Sequence, residues 1–155
     1  MFYKIGNINL IKKYLTLAVF IDLQRALETV DQNCSIKKLK SMGIVEQALE
    51  WCLDFLSKRK QKLKVNNSLS EEINYIRSVP QGSILGLLLF LVYINDIVDF
   101  KCQCDIHLFA DDALIYFSCK DSDNLVKVVN ETLQHVYKWC CNNLLKINTI
   151  KQNLC

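Results

Sequence analysis

The chain has 155 residues, 51% of them hydrophobic, with only four Gly and one Pro. That composition excludes a disordered tail or a collagen-like repeat and suits a single domain, 1–155, with a real core. Nineteen Lys and Arg against sixteen Asp and Glu leave a net charge of +3, a slight bias toward an anionic partner and less than a dedicated DNA-binding module carries.

Eight cysteines stand at 34, 52, 102, 104, 119, 140, 141 and 155, with no Cys-x-x-Cys pair among them. Cys102, Cys104 and His107 cluster, but a structural zinc site needs four ligands, so they read as strand-end residues. Lys12 and Lys13 precede an apolar run, Leu15 to Ile21, which is short, ends at Asp22 and has no small-residue cleavage site. Neither a secretory signal nor a membrane span is expected there. The expectation is a nuclear or cytoplasmic protein, not secreted, with reduced thiols and no membrane partner.

In chain order, 15–22 (LTLAVFID) reads as a buried strand ending at Asp22. Ala26, Val30, Ile36 and Leu39 predict one helix over 26–42, stopped at Gly43. A second helix over 45–57 places Val45, Leu49, Cys52, Leu53 and Leu56 on one face. The alternation in 58–77, with Asn66-Asn67 as a turn, predicts a basic hairpin. PQGS at 80–83 breaks the chain, and the run 84–98, apolar nearly all round, predicts a buried helix. Two apolar half-strands around Ala110-Asp111-Asp112 predict a tight hairpin over 106–117 with both acids at its tip. Leu125, Val129, Leu133, Val136 and Cys140 predict an amphipathic helix over 122–141, and a last strand is expected at 144–147. The order indicates an α+β fold, with helices packed on one face of an antiparallel sheet.

Asp111 and Asp112 are the most informative local pair. Two unit charges ~4 Å apart repel by about 4 kcal/mol at an effective dielectric near 20, and a divalent cation reverses the sign. Oxygen-only ligands select hard ions, Mg²⁺ or Mn²⁺. Two solvated acids on an exposed turn are the bland alternative. Asp22 tips the balance, because it too ends an apolar strand. If the two strands are neighbours, three carboxylates meet at one sheet edge, a geometry suited to two-metal phosphoryl transfer.

From about 15 to 151, the chain resembles the palm of reverse transcriptases (RNA-directed DNA polymerases) of non-LTR, LINE-type retrotransposons. The residues that bear the likeness are AVFIDLQRALETVD, WCLDFLSKRKQKLKVNNSLS, VPQGSILG, LFLVYINDI, FADDALIY and LLKINTIKQ, in that order. The resemblance implies two Mg²⁺ or Mn²⁺ ions held by Asp22, Asp111 and Asp112, acting on deoxynucleoside triphosphates, an RNA template and a DNA primer. It implies that Leu27, Gln81, Gly82 and Ser83 line the template and nucleotide pocket. Lys151 would neutralise charge near the leaving pyrophosphate, and Arg59, Lys60, Lys62 and Lys64 would follow a phosphate backbone. A solvated lysine-guarded edge strand is the alternative for those four. Asn148 falls in the Asn-x-x-Lys segment behind the site.

Four positions depart from the family pattern. Leu27 replaces an aromatic residue that excludes a ribose 2′-hydroxyl, Glu28 replaces an Asp, Leu87 replaces a Pro, and Ser78 replaces a Gly. If position 78 needs positive φ, serine there costs about 1 kcal/mol or more. Fingers, thumb and endonuclease segments of a larger polyprotein are not recognisable, so little activity is expected from these residues alone. The competing readings are a non-catalytic remnant of a decayed element and a two-metal nuclease.

Overall fold

The computed structural model describes residues 2–9, 14–57, 59–75, 77–80 and 82–148. The fold is α+β, and the chain divides into two compact units: residues 1–26 with 96–155, and residues 27–95.

The first unit is built on one antiparallel sheet. Its strands are β1 (Phe2–Asn9), β2 (Tyr14–Asp22), β7 (Asp105–Phe109) and β8 (Asp112–Cys119), in the order β1-β2-β8-β7. β1 was not anticipated from the sequence. Successive strand residues point to opposite faces. Leu17, Val19 and Ile21 of β2 are therefore buried together with Ala113 and Ile115 of β8, while Phe20 between them is 53% exposed. The helix α5 (Ser122–Asn142) packs against β2 and β8. It buries Leu125, Val128, Val129, Thr132, Leu133, Val136 and Cys140, the helical repeat read from the sequence plus one turn's neighbours. Each large aliphatic side chain so buried contributes about 1.5–3 kcal/mol. Asp121 caps this helix by accepting from the Asp123 N–H at 3.1 Å. Burial, with Cys141 adjacent, pushes the Cys140 thiol up to about 11, so it stays protonated near neutrality. The strand expected at 144–147 is a single bridge, Leu23 to Ile147.

The second unit centres on α2 (Gln32–Ser41), which packs against α3 (Glu46–Leu56) and α4 (Ile84–Ile94) around Val30, Leu39, Leu56, Phe90 and Tyr93. The single helix expected over 26–42 is two. α1 (Ala26–Thr29) ends, Val30 leaves the helix, and Asp31 takes extended backbone angles. Asp31 then caps α2, its carboxylate accepting from the Cys34 N–H at 3.0 Å. Only Cys52 and Leu56 of the expected α3 face are fully buried; Val45 and Leu53 are exposed. The basic hairpin forms as two short pairings, β3 (Arg59–Gln61) with β6 (Ile73–Tyr75) and β4 (Lys64–Val65) with β5 (Ser68–Leu69), turning at Asn66 with φ 53°. The run 84–98 is shorter as a helix than expected, since residues 95–98 form a 3₁₀ turn. It is also not buried all round: Ile84, Leu87, Leu88 and Leu91 are exposed. Leu87 gives its N–H to the Ser83 carbonyl at 3.3 Å, a bond a proline could not make.

Ser78 sits at φ 122°, is 8% exposed, and is held on both sides: its own N–H donates to the Val30 carbonyl and that of Val79 to the Leu27 carbonyl. The positive φ on which the serine-for-glycine departure turned is present. Relief of about 1–2 kcal/mol of strain, less about 0.5–1 kcal/mol for the freer unfolded glycine, leaves a net gain of several tenths of a kcal/mol for Ser78→Gly. Thermal unfolding should show a Tm higher by roughly 1–2 °C; a lower Tm would show that the serine is not strained.

Candidate metal and nucleotide site

Asp22 is the last residue of β2 and Asp112 the first of β8, and the two are direct cross-strand partners in the antiparallel pairing. Residues paired this way have Cβ atoms about 4.5–5.5 Å apart on one face. By alternation, that face carries Phe20 and Leu114 and is opposite the buried face of Leu17, Val19 and Ile21. Asp22 is half-buried and Asp112 exposed. Phe109, cross-strand partner of Asp112 on its other side, is 83% exposed.

The tip of the hairpin is two residues long, Ala110 and Asp111, because Phe109 pairs directly with Asp112. Such a turn needs positive φ, normally supplied by glycine or asparagine. Here Ala110 has φ 53° and bears the steric cost of its Cβ. Of the two acids expected at the tip, Asp111 is in the turn and Asp112 is already in the strand.

Asn148 was placed near the site by its motif, but not assigned a contact. Its side-chain Nδ2 donates to Asp22 Oδ2 at 2.6 Å, and its backbone N–H donates to the Asp22 carbonyl at 2.8 Å. Only the motif LLKIN signalled it; the two residues are 126 apart in the chain.

Asp22 and Asp112 offer hard oxygen donors on an open face, and this donor set fits Mg²⁺ or Mn²⁺. Among the described residues no three His, Cys, Asp or Glu side chains form a group that could hold a metal ion, so Asp22 and Asp112 are paired but Asp111 is not gathered with them into the expected three-carboxylate cluster. A magnesium site takes one or two carboxylates and completes its octahedron with water and phosphate oxygens. The Cys102, Cys104 and His107 cluster is dispersed in other contacts. The Cys104 thiol accepts from Thr132 at 3.2 Å, Cys102 donates to the Cys104 carbonyl at 3.1 Å, and the His107 ring stacks on Tyr116.

The remaining sequence-singled residues belong to the second unit or lie outside the described residues. Gln81 and Lys151 are in the latter group. Leu27 is half-buried in α1. Ser83 is the N-cap of α4, its hydroxyl accepting from the Gly86 N–H at 3.3 Å. Gly82 has φ 81° and open space where a Cβ would stand, so backbone conformation selects glycine there. The close approach is at Gly86, where a Cβ would lie 2.4 Å from the Pro80 carbonyl oxygen. Arg59 and Lys60 line a cleft of about 490 Å³ with Glu28, Gln61, Ser78, Val79 and Pro80. Lys60 and Lys62 both pair with Glu72, at 3.1 and 3.7 Å, which offsets part of their charge; Lys64 is exposed. No helix among the described residues is long and apolar enough to cross a membrane.

This sheet, with an aspartate ending one central strand and an aspartate-bearing hairpin beside it, defines a class. The sequence pattern of the family described as reverse transcriptase (RNA-dependent DNA polymerase) matches residues 2–155, and the chain belongs to that family. Enzymes of this family generally use divalent metals. Among similar proteins is the probable RNA-directed DNA polymerase from transposon BS of Drosophila melanogaster, 29% identical over 150 residues. Another is that from transposon X-element of the same fly, 25% identical over 146 residues. The alignments take in 86% and 88% of this chain but only 16% and 15% of the two relatives.

Two like charges directly across a strand pair are destabilising. Asp112→Asn, which leaves the Asn148 bond to Asp22 intact, should raise the Tm of the metal-free chain by about 1–3 °C. In saturating Mg²⁺ the order should reverse, since two facing carboxylates should hold the ion more tightly than one. A variant less stable than the parent without metal would contradict the pairing.

Proposed function

We propose that this chain is the palm part of an RNA-directed DNA polymerase derived from a non-LTR retrotransposon, with Asp22, Asp111 and Asp112 holding two Mg²⁺ (or Mn²⁺) ions. The observation that carries the reading is the opposition of Asp22 and Asp112 across β2 and β8 on the open face. Family membership and the names of the two fly relatives support the reaction and the origin.

The bound ions would supply activation of the primer 3′-hydroxyl and stabilisation of the leaving pyrophosphate. The chain's own contribution is to fix the acids before anything binds. Asp22 is anchored through Asn148, Asp112 by the strand pairing, and Asp111 by the two-residue turn. Phe20 and Phe109 provide exposed rings on the same face, the kind of surface on which bases stack. In the second unit, Gln81, Gly82, Ser83 and Leu27 are assigned to the RNA template and the deoxynucleoside triphosphate. Arg59, Lys60, Lys62 and Lys64 are assigned to a nucleic-acid backbone, and Lys151 to the pyrophosphate. Fingers and thumb of a larger polyprotein would be its working partners, consistent with the small share of each relative that is covered.

A second reading, a remnant that no longer catalyses, is favoured by the strained Ser78 and by leucine at 27. One experiment separates the two. Residues 15–148 are transplanted into the matching stretch of a full-length active relative, and primer extension is measured on an RNA template. The polymerase reading expects dNTP incorporation that Asp22→Asn lowers by at least about a hundredfold. It also expects ribonucleotide incorporation that Leu27→Phe suppresses. No extension by a folded, template-binding chimera would favour the remnant.

A further inference from the structure

The segment just after α5 closes on the end of β2. Gln24 donates its backbone N–H to the Lys146 carbonyl at 2.7 Å, Leu23 and Ile147 form an antiparallel bridge, and Asn148 donates its backbone N–H to the Asp22 carbonyl at 2.8 Å. These bonds fix the backbone alone. The side-chain bond from Asn148 Nδ2 to Asp22 Oδ2, at 2.6 Å, adds a constraint the strap does not need for its own pairing. We infer that Asn148 is a positioning residue for the metal carboxylate: its amide holds one oxygen of Asp22 and thereby sets the direction in which the carboxylate faces Asp112 and a cation.

The inference rests on the proposed metal role of Asp22 and deepens it. A carboxylate at a strand end rotates about χ1 and χ2, and a cation that must also be met by Asp112 binds only the rotamers aimed at it. A hydrogen bond to one oxygen removes the others before the cation arrives. An amide serves this purpose where a lysine would not, because it donates without adding a positive charge beside the cation. Partners of this outer kind are typically worth about 10–100-fold in metal affinity.

The test is Mn²⁺ affinity of the 155-residue chain, read by water-proton relaxation, in a double-mutant cycle of Asn148→Ala and Asp22→Ala. Asn148→Leu, close in volume and without a donor, serves if the alanine variant does not fold. Asn148→Gln, which keeps the donor, should recover part of the affinity. The inference expects Asn148→Ala to weaken Mn²⁺ binding about tenfold in the parent and to have no further effect once Asp22 is alanine. Thermal unfolding should move little, because the backbone bonds remain. Unchanged Mn²⁺ affinity in a folded Asn148 variant, or the same loss with and without Asp22, would overturn the positioning role while leaving the site standing. Parent-like affinity in Asp22→Ala would overturn the site itself, and the inference with it.

Discussion

Asp22 and Asp112 face each other across the two central strands of a four-stranded sheet, and the first unit is arranged so that they must. Side chains alternate along a strand, so a slip of one residue between β2 and β8 would break the match of Leu17, Val19 and Ile21 with Ala113, Ile115 and α5. The apolar face is what enforces the register, and the register delivers the acids. Several kilocalories per mole of hydrophobic burial thus hold together a like-charge pair whose own interaction is repulsive. A divalent cation on the open face would turn that repulsion into attraction.

Other features of the first unit reinforce this end of the sheet. α5 covers the face away from the acids, and the strap that follows it returns to Asp22 through backbone and side chain. The two-residue tip holds Asp111 in the turn and Asp112 in the strand at the cost of a left-handed alanine, a local strain of the kind that accumulates at functional sites. The second unit has its own core around α2 and its own tight point, where Gly86 passes beneath the Pro80 carbonyl and Ser83 caps α4. The VPQGSILG stretch is therefore under structural demand within its own unit, independently of any ligand it meets.

Much of this was legible in the sequence because the relevant periodicities are clean. The apolar run ending at Asp22, the half-strands flanking Ala110-Asp111 and the helical repeat from Leu125 to Cys140 each state their element without reference to the rest of the chain. Where the reading departed, a non-local contact intervened. Asp31 breaks the helix expected over 26–42 because it pairs with Arg77 and caps α2. The run from Ile84 is apolar on every side, so its sequence holds no information about which side is covered, and Ile84, Leu87, Leu88 and Leu91 are left exposed. The Asn148–Asp22 bond joins residues 126 apart, and no local pattern encodes such a meeting. Alternation along β2 and β8 could say that Asp22 and Asp112 each end or begin a strand, but not that those strands are neighbours.

The most direct measurement is where a divalent ion sits on the protein as it is. Substoichiometric Mn²⁺ added to the isotope-labelled chain broadens amide signals close to the bound ion. The account expects the loss to concentrate at residues 20–23 and 111–114, with Glu71 and Glu72 unaffected, and to be competed by Mg²⁺. Broadening that spares residues 22 and 112, or that spreads over acidic side chains without preference, would contradict it.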